Sequence, residues 1–295
     1  MASPAETTPV TSVIHDIGYQ RYQGPRLGRG YAVRSLYQHS MRAVFGIGRG
    51  AKAKIFPWLI IGIALAFALI AIAVRTLTDQ QLVSYDGYAN AMSYPVMMFL
   101  AIVAPELVSR DLRDKVLPLY FSRPLGRSDY ALTKLAALAS AVVLLLGVPQ
   151  LLMYVGAVFS RDNDYLSGAW SELKDLWPGL ASAGIYALVL SGLSLLIASL
   201  TSRRAFGAAG VVAVFLLSTP IVGILIAIGS PTMQKLAFLA NPMTMVQGVQ
   251  DWLFGKPPGD GSDIGGFGPV YGLSVAALIA VSVALLLVRY RKVSS

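Results

Sequence analysis

The sequence contains no cysteine and only two histidines among its 295 residues. Without cysteine, the chain can form no disulfide, thiolate nucleophile or iron–sulfur cluster. His15 and His39 supply too few ligands for the usual histidine-rich metal sites, so we expect no metal site. Charged residues make up only 13% of the chain, against about 25% in an average soluble protein. These deficits argue against a water-soluble domain, a disulfide-stabilised secreted domain and a metalloenzyme.

The chain is instead rich in hydrophobic residues, which make up 55% of it and give a mean hydropathy of +0.62. Six segments approach the length of about 20 apolar residues that a helix needs to cross a bilayer. They are residues 57–74, 91–107, 135–159, 178–200, 205–229 and 268–288. This pattern predicts an all-α polytopic membrane protein with six transmembrane helices. Pro149 and Pro220 lie inside the third and fifth segments and predict kinks there.

Positive charge is distributed unequally between the two sides of the predicted spans. Nineteen of the 24 Lys and Arg residues lie before span 1, between spans 2 and 3, between spans 4 and 5, or after span 6. Because loops rich in Lys and Arg remain in the cytoplasm, we expect both termini there. The net charge of +9 is therefore interpreted as an orientation signal, and we expect no nucleic-acid partner. Abundant Arg, Ala and Gly suggest a GC-rich bacterium, so the expected location is the bacterial plasma membrane.

The chain before the first span divides into two parts. Residues 1–30 are rich in Pro, Thr, Gly and Arg and are interpreted as a cytoplasmic extension. Apolar residues then recur at helical spacing from Tyr31 to Ile47, which predicts an amphipathic helix in the inner membrane interface. The alternative is a cytosolic helix that packs on a partner. We assign residues 31–54 to this interfacial helix and residues 55–295 to the six-helix membrane domain.

The connection between spans 2 and 3, residues 108–134, carries the most informative charge pattern. Glu106 lies four residues before Arg110, in the order that favours an ion pair along a helix. The same spacing and order hold for Asp111 and Lys115. These pairs predict that a helix continues from span 2 beyond the bilayer.

We expect that helix to end near Pro118, and we expect Ser128 to cap the helix of span 3. Five apolar residues stand between these points: Val116, Leu117, Leu119, Tyr120 and Phe121. A solvated loop would explain the charges of this connection but not the apolar cluster. Apolar surface rimmed by charge is typical of a docking site, so we interpret the connection as one.

One run of residues resembles a known family. The pattern Glu106-x3-Arg110-Asp111…Ser122-Arg123-Pro124-x2-Arg127-x2-Tyr130-x3-Lys134 is similar to the cytoplasmic signature of ABC-2 type transporter permeases. The six spans, internal termini, interfacial helix and long last external loop fit the same family, so the resemblance covers about residues 31–290. Lys115-Val116 departs from the Gly-Thr pair of many members, and Pro118 is also unexpected.

The resemblance implies an ABC-2 (type V exporter-like) transmembrane domain that works as a dimer with a second permease copy or a paralogue, surrounded by membrane lipids. Gly46–Lys52 is rich in glycine but lacks the P-loop spacing, so separate ABC ATPase subunits would bind ATP and Mg²⁺. This chain would carry no cofactor and would not be an enzyme. The coupling residues implied by the resemblance and by the docking cluster are Glu106, Arg110, Asp111, Arg113, Asp114, Leu117, Tyr120, Phe121, Arg123 and Arg127.

The apolar centres of the spans contain no ionisable residue, which argues against a proton- or ion-coupled carrier. We therefore expect an apolar or amphipathic substrate, such as a drug, antibiotic, lipid or glycolipid, exported from the cytoplasm or inner leaflet. Candidate pathway residues are Met97, Met98, Phe99, Gln150 and Phe215. Gln150 is alternatively an interhelical hydrogen-bonding residue, and the other side chains are equally expected in the core or facing lipid.

The external loops are expected to differ in role. Residues 160–177 form a short acidic loop that we interpret as structural. Residues 230–267 are predicted to contain two short helices that re-enter the outer interface and are separated at Asn241-Pro242. The candidate external-gate residues are Asn241, Pro242, Met243 and Trp252. A simple interfacial lid is the alternative.

The sequence is also compatible with two other functions. The first is an ABC-2-like mechanotransmitter, which would pass the work of an ATPase to an envelope partner. The second is a channel or carrier that works without ATP, and such a chain would need no docking cluster. Capture of an ATPase partner would separate the second alternative from the transporter.

Overall fold

The structure, a computed structural model, describes residues 24, 27–122, 124–159, 165–255 and 264–292, except for the side chains of residues 165–167. Within these ranges the chain forms twelve α-helices and two 3₁₀ turns and contains no strand. The helices are α1 (Arg29–Val44), α2 (Ala51–Thr78), α3 (Tyr85–Ala91), α4 (Ser93–Leu107), α5 (Ser109–Arg113), α6 (Leu117–Phe121), α7 (Arg127–Phe159), α8 (Tyr165–Ser199), α9 (Arg204–Ile228), α10 (Pro231–Leu236), α11 (Pro242–Phe254) and α12 (Gly268–Lys292). The 3₁₀ turns are Ala237–Ala240 and Gly265–Phe267.

Five helices, α2, α7, α8, α9 and α12, are long and apolar enough to cross a membrane. A sixth span results if α3 and α4–α5 are taken as one pair, bent by 53° at the break around Met92. Pro95 contributes to the break because it lacks the N–H that would bond the carbonyl of Ala91. The chain is therefore an all-α polytopic membrane protein with five or six spans among the described residues. If the bent pair is one span, that span begins before the predicted residue 91.

Two helices form the centre of the bundle and three lie at its periphery. α7 packs along α8, α2 packs on α7, α9 packs on α4 and α8, and α12 packs on both central helices. About 61% and 56% of the apolar stretches of α7 and α8 are buried, against 28%, 17% and 22% for α2, α9 and α12. The peripheral helices therefore present most of their apolar surface outward, as lipid-facing helices do.

The predicted amphipathic helix exists, but its boundary at residue 54 is wrong. α1 ends at Val44, and the chain turns at Gly46 and Gly48, which both have positive φ. A Cβ at Gly46 would lie 2.8 Å from the carbonyl oxygen of Ala53, so this tight turn requires glycine. Residues 51–54 consequently belong to α2. The buried side of α1 packs on α7 and α4 of the same chain.

The external connection expected over residues 160–177 is helical from Tyr165 onward, which corrects the loop prediction. α8 runs through Pro178 as a single helix of 35 residues. Glu172 and Leu176 are buried one turn apart, and Glu172 forms an ion pair with Arg75 of α2. The charged residues and the proline of this segment favoured the loop prediction. The tertiary contacts of Glu172 and Leu176 stabilise the helix in spite of them.

α7 and α9 also run through their internal prolines, Pro149 and Pro220, as single helices. Beyond α9, two short helices are present as predicted, and the break between them falls at Asn241. Their predicted place in the outer interface stays a prediction. The Asn241 side chain caps α11 by accepting a hydrogen bond from the Met243 N–H at 2.7 Å. Its amide nitrogen donates to the Phe215 carbonyl at 3.2 Å, which ties the external region to α9.

The connection between α4 and α7 departs from the prediction at both helix ends. The first helix ends at Arg113, because the chain reverses at Lys115 with a φ of 52°. Pro118 lies in the first turn of α6, where its missing N–H costs nothing, so it begins a helix and does not end one. α7 begins at Arg127, so Ser128 is not its cap. The carboxylate of Asp129 instead accepts a hydrogen bond from the Gly126 N–H at 3.0 Å.

Candidate functional site

The charged residues of the 2–3 connection meet side chains from four other parts of the chain at one end of the bundle. We call the set Arg49, Glu106, Arg110, Asp111, Lys134 and Arg204 the charged cluster. It contains two carboxylates, each the centre of its own group of partners. The first centre is Glu106 near the end of α4, and the second is Asp111 in α5.

Glu106 is contacted by three arginines from different segments. Arg110, one turn further along, lies 3.2 Å from the carboxylate, and Arg204 at the start of α9 lies at 2.5 Å. Arg49, in the turn before α2, forms the third ion pair. The Glu106 side chain is only 7% exposed, so its charge requires these partners. Burial, with the positive charges of Arg110 and Arg204, lowers the pKa of Arg49.

Asp111 is paired across the connection with residues of α7. The Lys134 ammonium lies 2.9 Å from its carboxylate, and the Tyr130 hydroxyl donates to it at 2.6 Å. The Lys134 side chain is 3% exposed. Removing one partner of such a buried pair typically costs about 3–5 kcal/mol, because the other charge is left uncompensated. The predicted helical pair between Asp111 and Lys115 is thus replaced by a tertiary one.

The apolar cluster of the connection packs mainly inward. Leu117 is buried, and the rings of Tyr120 and Phe121 lie 5.5 Å and 6.1 Å from the ring of Tyr130. Tyr130 in turn contacts Tyr290 of α12, with the ring centroids 5.1 Å apart. α6 is therefore attached to α7 and α12 through aromatic contacts, which are worth roughly 0.5–1.5 kcal/mol each beyond their buried area.

The surface available to a partner is consequently smaller than predicted. It includes Leu119, which is 68% exposed, and the half-exposed side chains of Arg110, Arg113 and Asp114. Arg113 and Arg110 contact Asp114 at 3.1 Å and 3.4 Å. Hydrogen bonds from these arginines lower the pKa of the Asp114 carboxyl. We call these four residues the exposed row.

One more predicted coupling residue, Arg127, lies apart from the charged cluster. Arg127 donates a hydrogen bond to the Arg291 carbonyl at 3.1 Å and lies over the Phe121 ring at 5.9 Å. Arg123 lies outside the described residues. Nearby, Arg29 of α1 forms a two-nitrogen ion pair with Asp129 of α7, at 2.6 Å and 2.7 Å, which fixes the start of α1 to the start of α7.

A cavity of about 700 Å³ opens beside the charged cluster, between α1, the end of α4, α5, α6 and the start of α7. Its polar lining includes His39, Arg110, Asp111 and Lys134, and its apolar lining includes Leu36, Leu107 and Leu125. Burial, and then the charge of Lys134, lowers the pKa of His39, so the imidazole is neutral at neutral pH. A cavity of this kind accepts an apolar side chain flanked by polar groups.

The five candidate pathway residues do not share a cavity in the described part of the chain. Met97, Phe99 and Phe215 are core residues, whereas Met98 is exposed on the outside of the bundle. Gln150 is completely buried against Gly179 of α8 and Tyr85 of α3. Its amide forms no hydrogen bond among the described residues. A substrate pathway built from these residues stays a prediction for an assembled protein.

The candidate gate residues lie at the two ends of α11, in the region that connects α9 to α12. Asn241 and Met243 are buried, and Pro242 opens α11. Trp252 is 44% exposed and packs against Gly268 and Gly272, where a Cβ would collide with its ring. The arrangement fixes α11 to α12 through an aromatic contact on a glycine face. A gating role for these residues stays a prediction.

Sequence reasoning missed Arg49, Arg204 and His39 as members of the site. The two arginines were counted only as orientation signals, since each lies far from Glu106 in sequence. Lys134 and Tyr130 belonged to the motif but were not selected as site residues. Within the described residues, no group of three or more His, Cys, Asp or Glu side chains could hold a metal ion. Comparison of the sequence with known protein families and with curated proteins found no match.

Proposed function

We propose that this chain is the membrane-spanning subunit of an ATP-driven ABC-2 exporter in a bacterial plasma membrane, with both termini in the cytoplasm. It would move an apolar or amphipathic substrate outward, and separate ATPase subunits would supply the energy. The observation that carries the proposal is the contact between the two halves of the signature. Asp111 comes from the first half, and Tyr130 and Lys134, which it contacts, come from the second.

A permease driven from outside the membrane needs a surface that a partner can push and a rigid link from it to the spans. The exposed row supplies the surface, because its charges and Leu119 are accessible. The link is supplied by Asp111 with Lys134 and by the aromatic contacts of Tyr130. Buried charge pairs and packed rings keep a defined geometry, so a displacement of α5 and α6 would move α7 and α12.

The test is affinity capture of the tagged full chain, crosslinked in its own membranes and solubilised in mild detergent, followed by mass spectrometry. A P-loop ATPase should be captured in stoichiometric amount. Arg110→Glu and Arg113→Glu should each lower its recovery about tenfold or more, as reversal of an interface charge does. Arg291→Glu is the matched control, since it makes the same charge change on an exposed residue of α12.

Other captures would change the proposal in defined ways. If the wild-type chain is recovered alone, the exporter is rejected in favour of a channel or carrier that works without ATP. If an envelope protein is recovered with the ATPase in equal amount, the mechanotransmitter becomes the better function. Equal loss of the ATPase in Arg291→Glu would remove the exposed row as the docking surface.

A further inference from the structure

We propose that Arg49, Arg110 and Arg204 bind the phosphate of an anionic phospholipid at the membrane boundary. This headgroup site does not rest on the proposed transport function, although it shares Arg110 with the exposed row. It rests on the excess of positive charge around Glu106, on the position of the three arginines, and on the apolar surface beside them.

The charges around Glu106 do not balance. One carboxylate is surrounded by three guanidinium groups, which leaves an excess of two positive charges. Arg110 also forms an ion pair with Asp114, but Asp114 forms a second ion pair with Arg113, so it does not neutralise the excess. The lowered pKa of Arg49 has the repulsion of Arg110 and Arg204 among its causes. A bound anion would relieve this repulsion.

The arginines also keep hydrogen-bond donors free. A guanidinium has five N–H donors. In the described part of the chain, Arg49 donates to Glu106 from one terminal nitrogen, whereas Arg204 lies 2.5 Å from the other carboxylate oxygen as an ion pair without a hydrogen bond. Their remaining N–H groups suit the oxygens of a phosphate, which arginine binds through two parallel hydrogen bonds.

The backbone around the site favours an anion as well. Arg49 precedes α2 by two residues, and Arg204 is the first residue of α9. Neither helix has an acidic residue in its first turn or a side-chain cap at its N-terminus. Cations at a helix N-terminus are unfavourable, whereas a phosphate is stabilised there by the helix dipole and the free N–H groups.

The position of the cluster identifies the anion as a lipid headgroup. Its arginines lie beside the starts of α2 and α9 and within α5, which follows α4. The ends of membrane-spanning helices lie at the depth of the lipid phosphates. Basic pockets between the ends of transmembrane helices bind anionic headgroups. The helices that begin beside Arg49 and Arg204 carry large apolar side chains near their starts, Phe56 on α2 and Phe206 on α9, which are more than half exposed and can contact an acyl chain. A soluble phosphate compound would gain nothing from them.

Tight packing fixes the arrangement of α4 and α9. A Cβ at Gly207, in the first turn of α9, would lie 3.1 Å from Pro105 and 3.2 Å from the Ser109 hydroxyl. Ser109 also donates a hydrogen bond to the Ala198 carbonyl at 2.7 Å. Arg204 is therefore held close to Glu106 by its own helix.

The test is native mass spectrometry of the full chain in a mild neutral detergent with added phosphatidylglycerol or phosphatidylcholine of the same acyl chains. The wild-type chain should retain one phosphatidylglycerol and should bind phosphatidylcholine about tenfold or more weakly, the effect of losing one charge-assisted interaction. Arg204→Gln should lower retention of phosphatidylglycerol to a similar extent. Arg203→Gln is the matched control and should retain it, because Arg203 lies over the Phe206 ring and not on Glu106.

Two more variants separate binding from folding. Arg204→Lys keeps the charge and removes the planar fork, so retention should fall between those of the wild type and Arg204→Gln. Glu106→Gln removes the competing carboxylate, so it should retain phosphatidylglycerol more strongly than the wild type. If Glu106→Gln loses the lipid although the chain remains monodisperse, the proposal is overturned.

Three other results would also overturn it. The first is equal retention of phosphatidylglycerol and phosphatidylcholine. The second is an equal loss in Arg203→Gln, which would show that diffuse charge alone attracts the lipid. The third is complete displacement of phosphatidylglycerol by excess inorganic phosphate, which would make the cluster a site for free phosphate and not for a lipid.

Discussion

At the scale of single residues, buried tyrosines organise the interior of the bundle. Six of them are at most 2% exposed: Tyr85, Tyr88, Tyr130, Tyr186, Tyr271 and Tyr290. Five donate a hydrogen bond to another element, for example Tyr88 to the Ala64 carbonyl and Tyr271 to the Lys235 carbonyl, both at 2.7 Å. Each ring fills core volume while its hydroxyl selects one partner, which specifies helix pairing more narrowly than apolar contacts do.

Asp251 of α11 is a half-buried carboxyl. Burial, with the negative charge of Asp86 on α3, raises the pKa of Asp251 to about 6. α11 also packs on α8, α12 and the turn Ala237–Ala240, and the ionisable groups that face Asp251 from these elements are Tyr186 and Tyr271. These neighbours supply no positive charge that would stabilise a carboxylate. The folded state is therefore more stable when Asp251 is protonated than when it is ionised.

We predict that Asp251→Asn removes a pH dependence from the stability of the protein. The stabilisation that Asp251 gives to the folded state is fully present below about pH 4, the usual pKa of an aspartate in an unfolded chain. This stabilisation is lost as the pH rises through about 6, the pKa in the folded state. Between about pH 4 and pH 7, the Tm of the wild type in detergent should fall by a few °C relative to the variant. Asp79→Asn, at an exposed helix end, is the control and should follow the wild type. Parallel curves for the wild type and Asp251→Asn would contradict the prediction.

At the scale of elements, glycines decide how closely the helices approach. On α8, a Cβ at Gly179 would lie 2.6 Å from the Tyr85 Cβ and 2.9 Å from its carbonyl carbon. Gly184, on the same helix, has no atom within 4 Å of a Cβ. The two positions therefore differ in packing while sharing the same helical backbone, and only the first fixes α3 against α8.

Substituting these two glycines should have opposite effects on stability. Gly179→Ala should destabilise the protein by about 1–3 kcal/mol, since the backbone of α3 must move to admit the methyl group. Gly184→Ala should stabilise it by about 0.5–1 kcal/mol, because alanine is the better helix former. Thermal unfolding in detergent measures both. A loss of stability in Gly184→Ala equal to that in Gly179→Ala would show that the contact with α3 is not the cause.

At the scale of the whole molecule, the central pair α7 and α8 is largely covered, and α2, α9 and α12 carry most of the outward apolar surface. The exporter proposed above would work as a dimer, and in the family that the sequence resembles spans 1 and 5 meet between the copies, so we predict that α2 and α9 form this contact here. The absence of cysteine makes this expectation easy to test, because every crosslink must come from an introduced residue.

We predict that the double variant Gly62→Cys with Leu217→Cys forms disulfide-linked dimers in membranes. Both positions are exposed, one on α2 and one near the middle of α9. Gly62→Cys with Val281→Cys is the control, since Val281 is exposed on α12 instead. Dimers should appear on a nonreducing gel for the first pair and not for the second. Equal dimer formation would reject this interface, and no dimer in either variant would favour a paralogue as the second permease.

The sequence alone was sufficient to predict the class of protein and most of its helices. Apolar length is a local property, because each span must satisfy its own backbone in a bilayer. The spans, α1 and the break at Asn241 follow from such local patterns. The helix ends near Pro118, Ser128 and residue 165 were not predictable in this way. There, tertiary partners of Lys134, Asp129 and Glu172 outweigh local preference.

The contacts of the candidate site also divide into those that follow from local sequence and those that depend on how the helices pack. The pair of Glu106 and Arg110 could be predicted because helical spacing places the two residues together. The contacts of Glu106 with Arg49 and Arg204 depend on how α2, α4 and α9 pack, and the inward position of Tyr120 and Phe121 depends on Tyr130. Sequence therefore determined which charges lie at this end of the bundle. Only the tertiary structure decided which of them are buried, which are paired and which remain exposed, because burial and pairing arise between segments that are distant in the chain.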